Sequence, residues 1–508
     1  MKITRSESGV GVDATRRPGP SDANVSDFAA PPAKIRPLCV DLDGTILRGD
    51  SFWEQVFALA RRDPLLVLRL LVLSRRGKAS VKEHLAGLPM PEWSSFNTDE
   101  KLVAWLRTER ATGRPVHLVT GAHRTAAELA AKNLNCFDAV HCTTADLNLT
   151  STRKATLLRE LHGAAGFDYA GNSSADLAVW QESHLAIACH ARPSTIERLR
   201  AAHPQTEVRD PLPPTVPTIL RQLRPHQWVK NLLVFLPLIL AHRLADVAAW
   251  TTSTLAFAAF CCLASSAYCL NDLLDLTADR AHPTKRHRPL PSGDLAPVAA
   301  VALALGLPIL SFAIAAFLPW GFTVALSLYG VGTLAYSLSV KRRAGADDVL
   351  LTALYTIRIL AGGLAAGIYV SQWLLTFSIF FFLSLSLLKR HSEILLAADS
   401  STGGIPGRGY ASGDLRLVGL LGRASGWVSV LVLVLYLNGE AVTRLYRMPA
   451  LLWLLGPLLL YWFHRIWKHS AQGKIPGDPI PFVFTDPVSY AVAAVTGLLL
   501  AIATMVSA

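Results

Sequence analysis

Two groups of aspartates, set in regions of opposite composition, carry the chemistry legible in this 508-residue chain. Asp41-Leu42-Asp43-Gly44-Thr45 closes a short apolar run near the N-terminus. A carboxylate on a rigid strand end can attack phosphorus and form an aspartyl phosphate. Asp43, two residues on and therefore on the same side of an extended chain, can protonate the leaving oxygen and then activate water. Thr120, predicted at the end of a neighbouring strand, would hydrogen-bond the phosphoryl group, and Lys154 would neutralise its charge. Asn172 and Asp176, in the segment Gly171-Asn172-Ser173-Ser174-Ala175-Asp176, would complete a magnesium site with Asp41 and Asp43.

The second group is Asp272, Asp275 and Asp279, with Asn271 beside them, at the end of a long apolar run. Their i, i+3, i+7 spacing predicts a shared helix face. Three carboxylates so placed repel one another unless a cation intervenes. Magnesium, or manganese in its place, bridging them to a diphosphate removes that repulsion and presents a leaving group. Arg280, His282, Lys285, Arg286 and Arg288 follow at once, and such mixing of acidic and basic groups suits a metal–diphosphate complex better than a plain solvated loop.

The elements that must position these residues differ between the halves. Strand-like runs at 35–41, 115–120, 138–142, 168–171 and 185–189 alternate with helical stretches such as 122–133 and 154–162. Strand–helix alternation predicts a doubly wound parallel α/β sheet with its site at the carboxyl ends of the strands. Residues 46–110 read as a helical cap, and within it the apolar run 64–74 is expected to be cap core rather than a bilayer contact. The expected organisation is a disordered tail over 1–34 without a secretory signal, an α/β domain over 35–203, a Pro-rich linker over 204–220 and an all-helical membrane domain over 221–508.

Apolar residues make up 51% of the chain and charged residues only 17%, but the imbalance is local. Nine apolar runs of roughly spanning length are expected, at about 229–243, 247–270, 296–317, 319–338, 349–369, 372–388, 418–437, 449–467 and 486–506. Alternate loops carry the basic residues: Arg280 to Arg288, then Lys341 to Arg343, then Lys389, Arg390, Arg408 and Arg416, then Arg465, Lys468 and Lys474. The basic-loop rule places these loops and the N-terminal half in the cytoplasm of a bacterial-type cell, across its plasma membrane. The net charge of +12 is then membrane topology plus phosphate binding, with no call for a nucleic-acid partner. The seven cysteines have no paired metal-ligand spacing and read as small apolar residues in a reducing compartment. Oligomeric state leaves no trace in the sequence.

The order Asp-x-Asp-Gly-Thr, Thr120, Lys154 and Gly171–Asp176 resembles the haloacid dehalogenase-like phosphatase superfamily over about residues 36–205. The chain departs from that pattern at Asn172, where the family usually has Asp; an amide oxygen can coordinate magnesium but brings no charge.

Asn271-Asp272-x-x-Asp275-x-x-x-Asp279 after the second of nine spans resembles the UbiA superfamily of intramembrane prenyltransferases over about residues 220–506. The resemblance implies a ring of spans around a cavity open to the cytoplasm and to lipid. It also implies a second polar segment after the fourth span: here Tyr336 to Lys341, then Asp347-Asp348, then Arg358. Many members have Asp-x-x-x-Asp there and this chain does not, so Lys341 and one of Asp347 or Asp348 are carried over. Arg224-Pro225-His226-Gln227-Trp228-Val229-Lys230-Asn231, the basic stretch to Pro289, Lys389-Arg390-His391-Ser392-Glu393 and Gly407-Arg408-Gly409-Tyr410 look like the decaprenyl-phosphate phosphoribosyltransferase branch. That branch moves 5-phosphoribosyl from phosphoribosyl diphosphate to a polyprenyl phosphate and feeds arabinan precursors of some bacterial cell envelopes. The expected phosphate contacts are Lys230, Asn271, Lys285, Arg286, Arg288, Tyr336, Lys341, Arg358, Lys389 and Arg390. The partners implied are the bilayer, a polyprenyl lipid and a phosphorylated small-molecule donor. Two alternatives remain: prenyl transfer from a diphosphate to an aromatic or other acceptor, and a membrane transporter or scaffold with a degenerate phosphatase domain.

Overall fold

The computed structural model describes residues 35–60, 63, 65–75, 78–144, 148–398, 409–475, 482–483 and 485–505. The expected tail over 1–34 and Arg408 lie outside them. Six strands form one parallel sheet in the order β3-β2-β1-β4-β5-β6. They are β1 (Leu38–Val40), β2 (Val116–His123), β3 (Ala139–Thr143), β4 (Asp168–Gly171), β5 (Ala186–Cys189) and β6 (Thr206–Arg209). β1 is Leu-Cys-Val, buried throughout, as a central parallel strand covered on both faces must be. One face packs Leu38, Val40, Leu118, Ala127 and Ile187; the other packs Cys39, Val119, Leu158, Tyr169 and Trp180. Strand order reverses between β1 and β4, so the crevice for a ligand opens where Asp41 and Asn172 follow their strands.

The expected linker is corrected at its start. Thr206–Arg209 pairs with β5 as the edge strand, and the prolines that suggested a linker flank the strand instead of interrupting it. The cap helices Ser51–Ala60, Leu65–Ser74 and Lys78–Ala86 close on Val56, Leu66, Leu70, Val81 and Leu85, which is the cap core predicted for that apolar run.

Among the described residues, eight helices are long and apolar enough to cross a membrane: those at Val247–Leu274, Pro297–Ala315, Trp320–Leu338, Ala346–Ala366, Gln372–Leu396, Ser412–Leu437, Pro449–Ala471 and Pro487–Thr504. Leu305, Ile309, Phe317, Trp320 and Val331 face outward, as side chains solvated by lipid do. The first of the nine expected runs forms no such helix. Residues Pro225–Phe235 take a 3₁₀ course and Leu236–Leu240 a single short α-helix, with Pro237 unable to donate to the helix ladder.

The two halves touch. Arg280 donates to Glu54 in a forked pair (2.6 and 2.8 Å) and to the Ser95 carbonyl (3.0 Å). Asn97 Nδ2 donates to the carbonyls of Pro291 (3.1 Å) and Ser292 (3.2 Å). Arg192 donates to the Asp294 carbonyl at 3.0 Å. Gly293, at φ +86°, makes the approach feasible: a Cβ there would stand 2.2 Å from the Arg48 carbonyl oxygen.

Candidate functional site

The soluble site is assembled from strand ends. Asp41 Oδ1 accepts from the Leu42 amide (2.9 Å) and lies 3.2 Å from Lys154 Nζ. Lys154 donates to the Tyr169 hydroxyl (2.8 Å), which donates to Asp176 Oδ1 (3.0 Å). Asp176 Oδ2 in turn accepts from the amides of Asn172 (3.1 Å) and Ser173 (3.0 Å), fixing the loop after β4. Ser51, the first residue of the cap helix, holds both oxygens of Asp43 through its amide (2.8 Å) and hydroxyl (3.2 Å). Thr120 is fully buried, and its Oγ1 accepts from the Ala122 amide at 3.0 Å. The carboxamide of Asn172 lies over Gly44, where φ is +75° and a Cβ would come 1.9 Å from Asn172 Nδ2.

Burial sets the protonation here. It lifts Asp41 to about 6, with Lys154 pulling it back and Asp176 adding to the rise. It carries Asp43 well above the usual carboxylate range, with Asp50 adding to the effect. Asp43 is thus suited to hold a proton for a leaving group. The site is short of positive charge, since among the described residues Lys154 alone pairs with Asp41 and Asp176. That donor set of hard oxygens with one amide fits a magnesium ion.

The membrane-end site departs from one expectation. The three aspartates do not ride one helix. The helix Val247–Leu274 ends before Asp275 (φ −99°, ψ 12°), and a second short helix runs Leu276–Ala281. Asp272 and Asp279 are nevertheless bridged by Arg288 Nη1, at 3.2 and 2.8 Å. Asp272 also accepts from Arg224 Nη2 (2.5 and 2.6 Å) and Gln222 Nε2 (2.8 Å). Lys285 stands 3.4 Å from Asp279, and Lys341 donates to Asp275 at 2.7 Å. Every carboxylate is therefore matched by a cation from another segment. Hard carboxylate oxygens suit magnesium, and the matching guanidinium and ammonium groups suit phosphate.

A third cluster lies behind it. Asp347 and Asp348 are buried around Arg390, whose Nε is 2.8 Å from Asp347 Oδ2. Arg390 also donates to Glu393 (2.5 Å) and Tyr336 (3.3 Å), while Ser386 donates to Asp348 at 2.5 Å and the Tyr410 hydroxyl to both aspartates. The two aspartates sit in one network around Arg390. Arg358 is used inside the helices: it donates to Asn231 Oδ1 (2.8 Å), the Tyr329 hydroxyl (3.0 Å) and the Leu354 carbonyl. Lys230 and Lys389 line a cavity of about 540 Å³ whose walls include Tyr355, Phe382, Trp462 and Val492. Arg286 is exposed, with Nε 3.2 Å from His287 Nε2, and Asn271 is half-buried with its carbonyl accepting from the Asp275 amide (2.9 Å). Sequence reasoning missed Gln222 and Arg224 as partners of Asp272, although Arg224 opens one of the stretches it singled out.

Several known proteins are similar to parts of this chain. Residues 232–476 match the UbiA prenyltransferase family. Protein y4nM of Sinorhizobium fredii is 36% identical over 462 residues, covering 90% of this chain and 89% of that one. Decaprenyl-phosphate phosphoribosyltransferase of Mycolicibacterium smegmatis is 38% identical over 185 residues, but these are 35% of this chain and 58% of the relative. Among solved structures, a UbiA homolog from Archaeoglobus fulgidus bound to GPP and Mg2+ covers 56% of this chain and 97% of its own, at 16% identity and a TM-score of 0.44. A HAD family hydrolase from Salmonella enterica serovar Typhi covers 33% of this chain and 69% of its own, at 15% identity and a TM-score of 0.27.

Proposed function

We propose that this chain, whose residues 232–476 match the UbiA prenyltransferase family, moves a 5-phosphoribosyl group from phosphoribosyl diphosphate to a polyprenyl phosphate and that its N-terminal half then removes the 5-phosphate from the lipid product. The observation that carries this reading is the inventory of cations. A prenyl donor brings one diphosphate, whereas the proposed substrates bring a diphosphate, a 5-phosphate and a lipid phosphate. Arg224, Arg288, Lys285 and Lys341 stand on the carboxylates, and Lys230 and Lys389 stand in the wall of an apolar cavity fit for an isoprenoid chain.

Magnesium held by Asp272, Asp275 and Asp279 would supply charge neutralisation of the diphosphate. Arg224, Arg288 and Lys341, exchanged from carboxylate to phosphate, grip the donor and stabilise the charge that grows on its leaving group. Lys230 and Lys389 orient the lipid phosphate. One of its oxygens bonds to the anomeric carbon as the bond from that carbon to diphosphate breaks, and inorganic diphosphate leaves. In the soluble site Asp41 attacks the 5-phosphate, Asp43 gives its proton to the departing sugar oxygen, and water activated by Asp43 hydrolyses the aspartyl phosphate. Lys154 and Thr120 bind the phosphoryl oxygens, and magnesium on Asp41, Asn172 and Asp176 would offset their charge.

The Arg280–Glu54 pair supports action in sequence. Arg280 adjoins Asp279, and Glu54 lies one turn from the serine that holds Asp43. Tethering raises the effective concentration of the phosphorylated lipid at the second site. The distribution of basic loops supports putting both sites on the cytoplasmic face of a bacterial plasma membrane.

The test is mass spectrometry of lipid products from the purified full chain given magnesium, phosphoribosyl diphosphate and polyprenyl phosphate. Wild type should yield pentosyl lipid and Asp41→Asn the phosphorylated form. Identical products from the two would overturn the phosphatase step. Turnover of a prenyl diphosphate with an aromatic acceptor, and none of phosphoribosyl diphosphate, would overturn the donor.

A further inference from the structure

Beneath the soluble site, three imidazoles and a thiol gather on one face of the sheet, and no step above uses them. Cys39 on β1 and His117 on β2 are register partners, so their side chains leave the sheet on the same side. His141 follows by two residues the β3 partner of His117 and shares that side. His162 ends the helix Ser151–His162 that covers it. One ligand atom each from Cys39, His117 and His162 lies within 4.8 Å of the others.

Two observations point to an ion. The rings of His117 and His162 have centroids 5.3 Å apart. Two imidazoles bound to one tetrahedral ion through metal–nitrogen bonds of about 2.0–2.1 Å must place their centroids about 5 Å apart. His117 Nδ1 and His162 Nε2 are buried yet have no hydrogen-bond partner among the described residues, an arrangement that is costly unless something is bound.

We propose that Cys39, His117 and His162 form a three-ligand site for a zinc-class divalent ion, with water in the fourth position. The ion displaces the thiol proton to solvent and forms one sulfur and two nitrogen bonds. Both imidazoles are half-exposed, so the ion enters past them to the thiol on the floor. His141, whose ring centroid is 6.0 Å from that of His117, stands outside the ligand set. Binding ties β1, β2 and the helix that carries Lys154 into one unit below Asp41.

The experiment uses the full chain in detergent, stripped by chelator and kept in saturating magnesium so that the aspartate sites are occupied. Titration with Co2+ should give one equivalent with a tetrahedral visible spectrum and a thiolate-to-cobalt charge-transfer band, which carboxylate sites cannot produce. Zn2+ should displace it and raise the melting temperature. Cys39→Ser should abolish the charge-transfer band. His162→Gln, at a half-exposed helix end where folding is readily checked by elution and helicity, should weaken binding at least tenfold. His184→Ala, outside the cluster, should bind as wild type does. Absence of saturable binding, or a charge-transfer band that persists in both Cys39→Ser and His162→Gln, would overturn the assignment.

Discussion

On the proposed reading, the two acidic sites meet the same problem, a cluster of carboxylates around phosphate, in opposite ways. The soluble one is compact and charge-poor. Asp41 and Asp43 come from one strand end, a single lysine faces them, and burial pushes both carboxyls toward the neutral form. The membrane one is spread over four segments and charge-matched, with Arg224, Arg288, Lys285 and Lys341 each on an aspartate. A site that makes a covalent intermediate needs one well-placed nucleophile and a proton donor. A site that holds a highly charged donor without bonding to it needs many ions that can change partners. The architecture follows: strand ends give rigid placement in the first, and loops between spans give the second its converging cations.

That contrast can be broken one site at a time. The largest effect should come from Asp41→Asn, which removes the nucleophile and should lower hydrolysis of a phosphate ester by about 10³–10⁶-fold, as loss of a covalent nucleophile does. Pentosyl-lipid formation at the other site should continue as its phosphorylated product, read by mass spectrometry. Asp272→Ala should do the reverse. Transfer should fall by about 10²–10³-fold, the scale of one lost electrostatic stabiliser, while hydrolysis of a soluble ester persists. If either substitution abolished both activities in well-folded protein, the division of labour would be wrong.

A smaller effect is expected between the sites. Arg280→Gln strands Glu54, 6% exposed, as an unpaired buried acid, which should cost about 3–5 kcal/mol in a thermal unfolding assay. The double substitution Arg280→Met, Glu54→Leu should recover most of that stability, because well-packed apolar groups replace buried ion pairs at little loss. It should still release more phosphorylated lipid than wild type. Recovery of stability together with an unchanged product ratio would reduce the pair to a structural clamp.

What the sequence made legible was whatever is local. Asp-x-Asp follows the Leu-Cys-Val strand, and Asp272 stands in the last turn of the long apolar helix, as each was read within a few residues. The break at Asp275 was not legible, since Leu-Thr-Ala continues a helical pattern and only the backbone angles betray the kink. Pairings across the chain were invisible too: Gln222 and Arg224 meet Asp272 from 50 and 48 residues away, and Arg280 meets Glu54 across 226. Such contacts depend on how elements approach, which no spacing encodes. β6 was lost in a proline-rich stretch because flanking prolines look the same beside an edge strand as in a linker.

The smallest predicted effect tests whether the soluble site is charge-poor by need or by tolerance. Asn172→Asp places a fourth carboxylate among Asp41, Asp43 and Asp176. If magnesium sits there, the extra charge should tighten it, and the magnesium concentration for half-maximal ester hydrolysis should fall by up to about tenfold, equivalent to about 1.4 kcal/mol. The lipid transfer reaction should keep its magnesium dependence, since its carboxylates are untouched. The cost falls on the loop, because Asn172 presents its amide nitrogen over Gly44 and an aspartate would present only acceptors there. A lower rate with unchanged magnesium dependence would therefore mean that the amide shapes the Asp41–Thr45 turn and that the missing charge was never a handicap. In that case the single lysine and the buried acids suffice, and the comparison sharpens: the soluble site works by holding charge down, and the membrane site by holding it in balance.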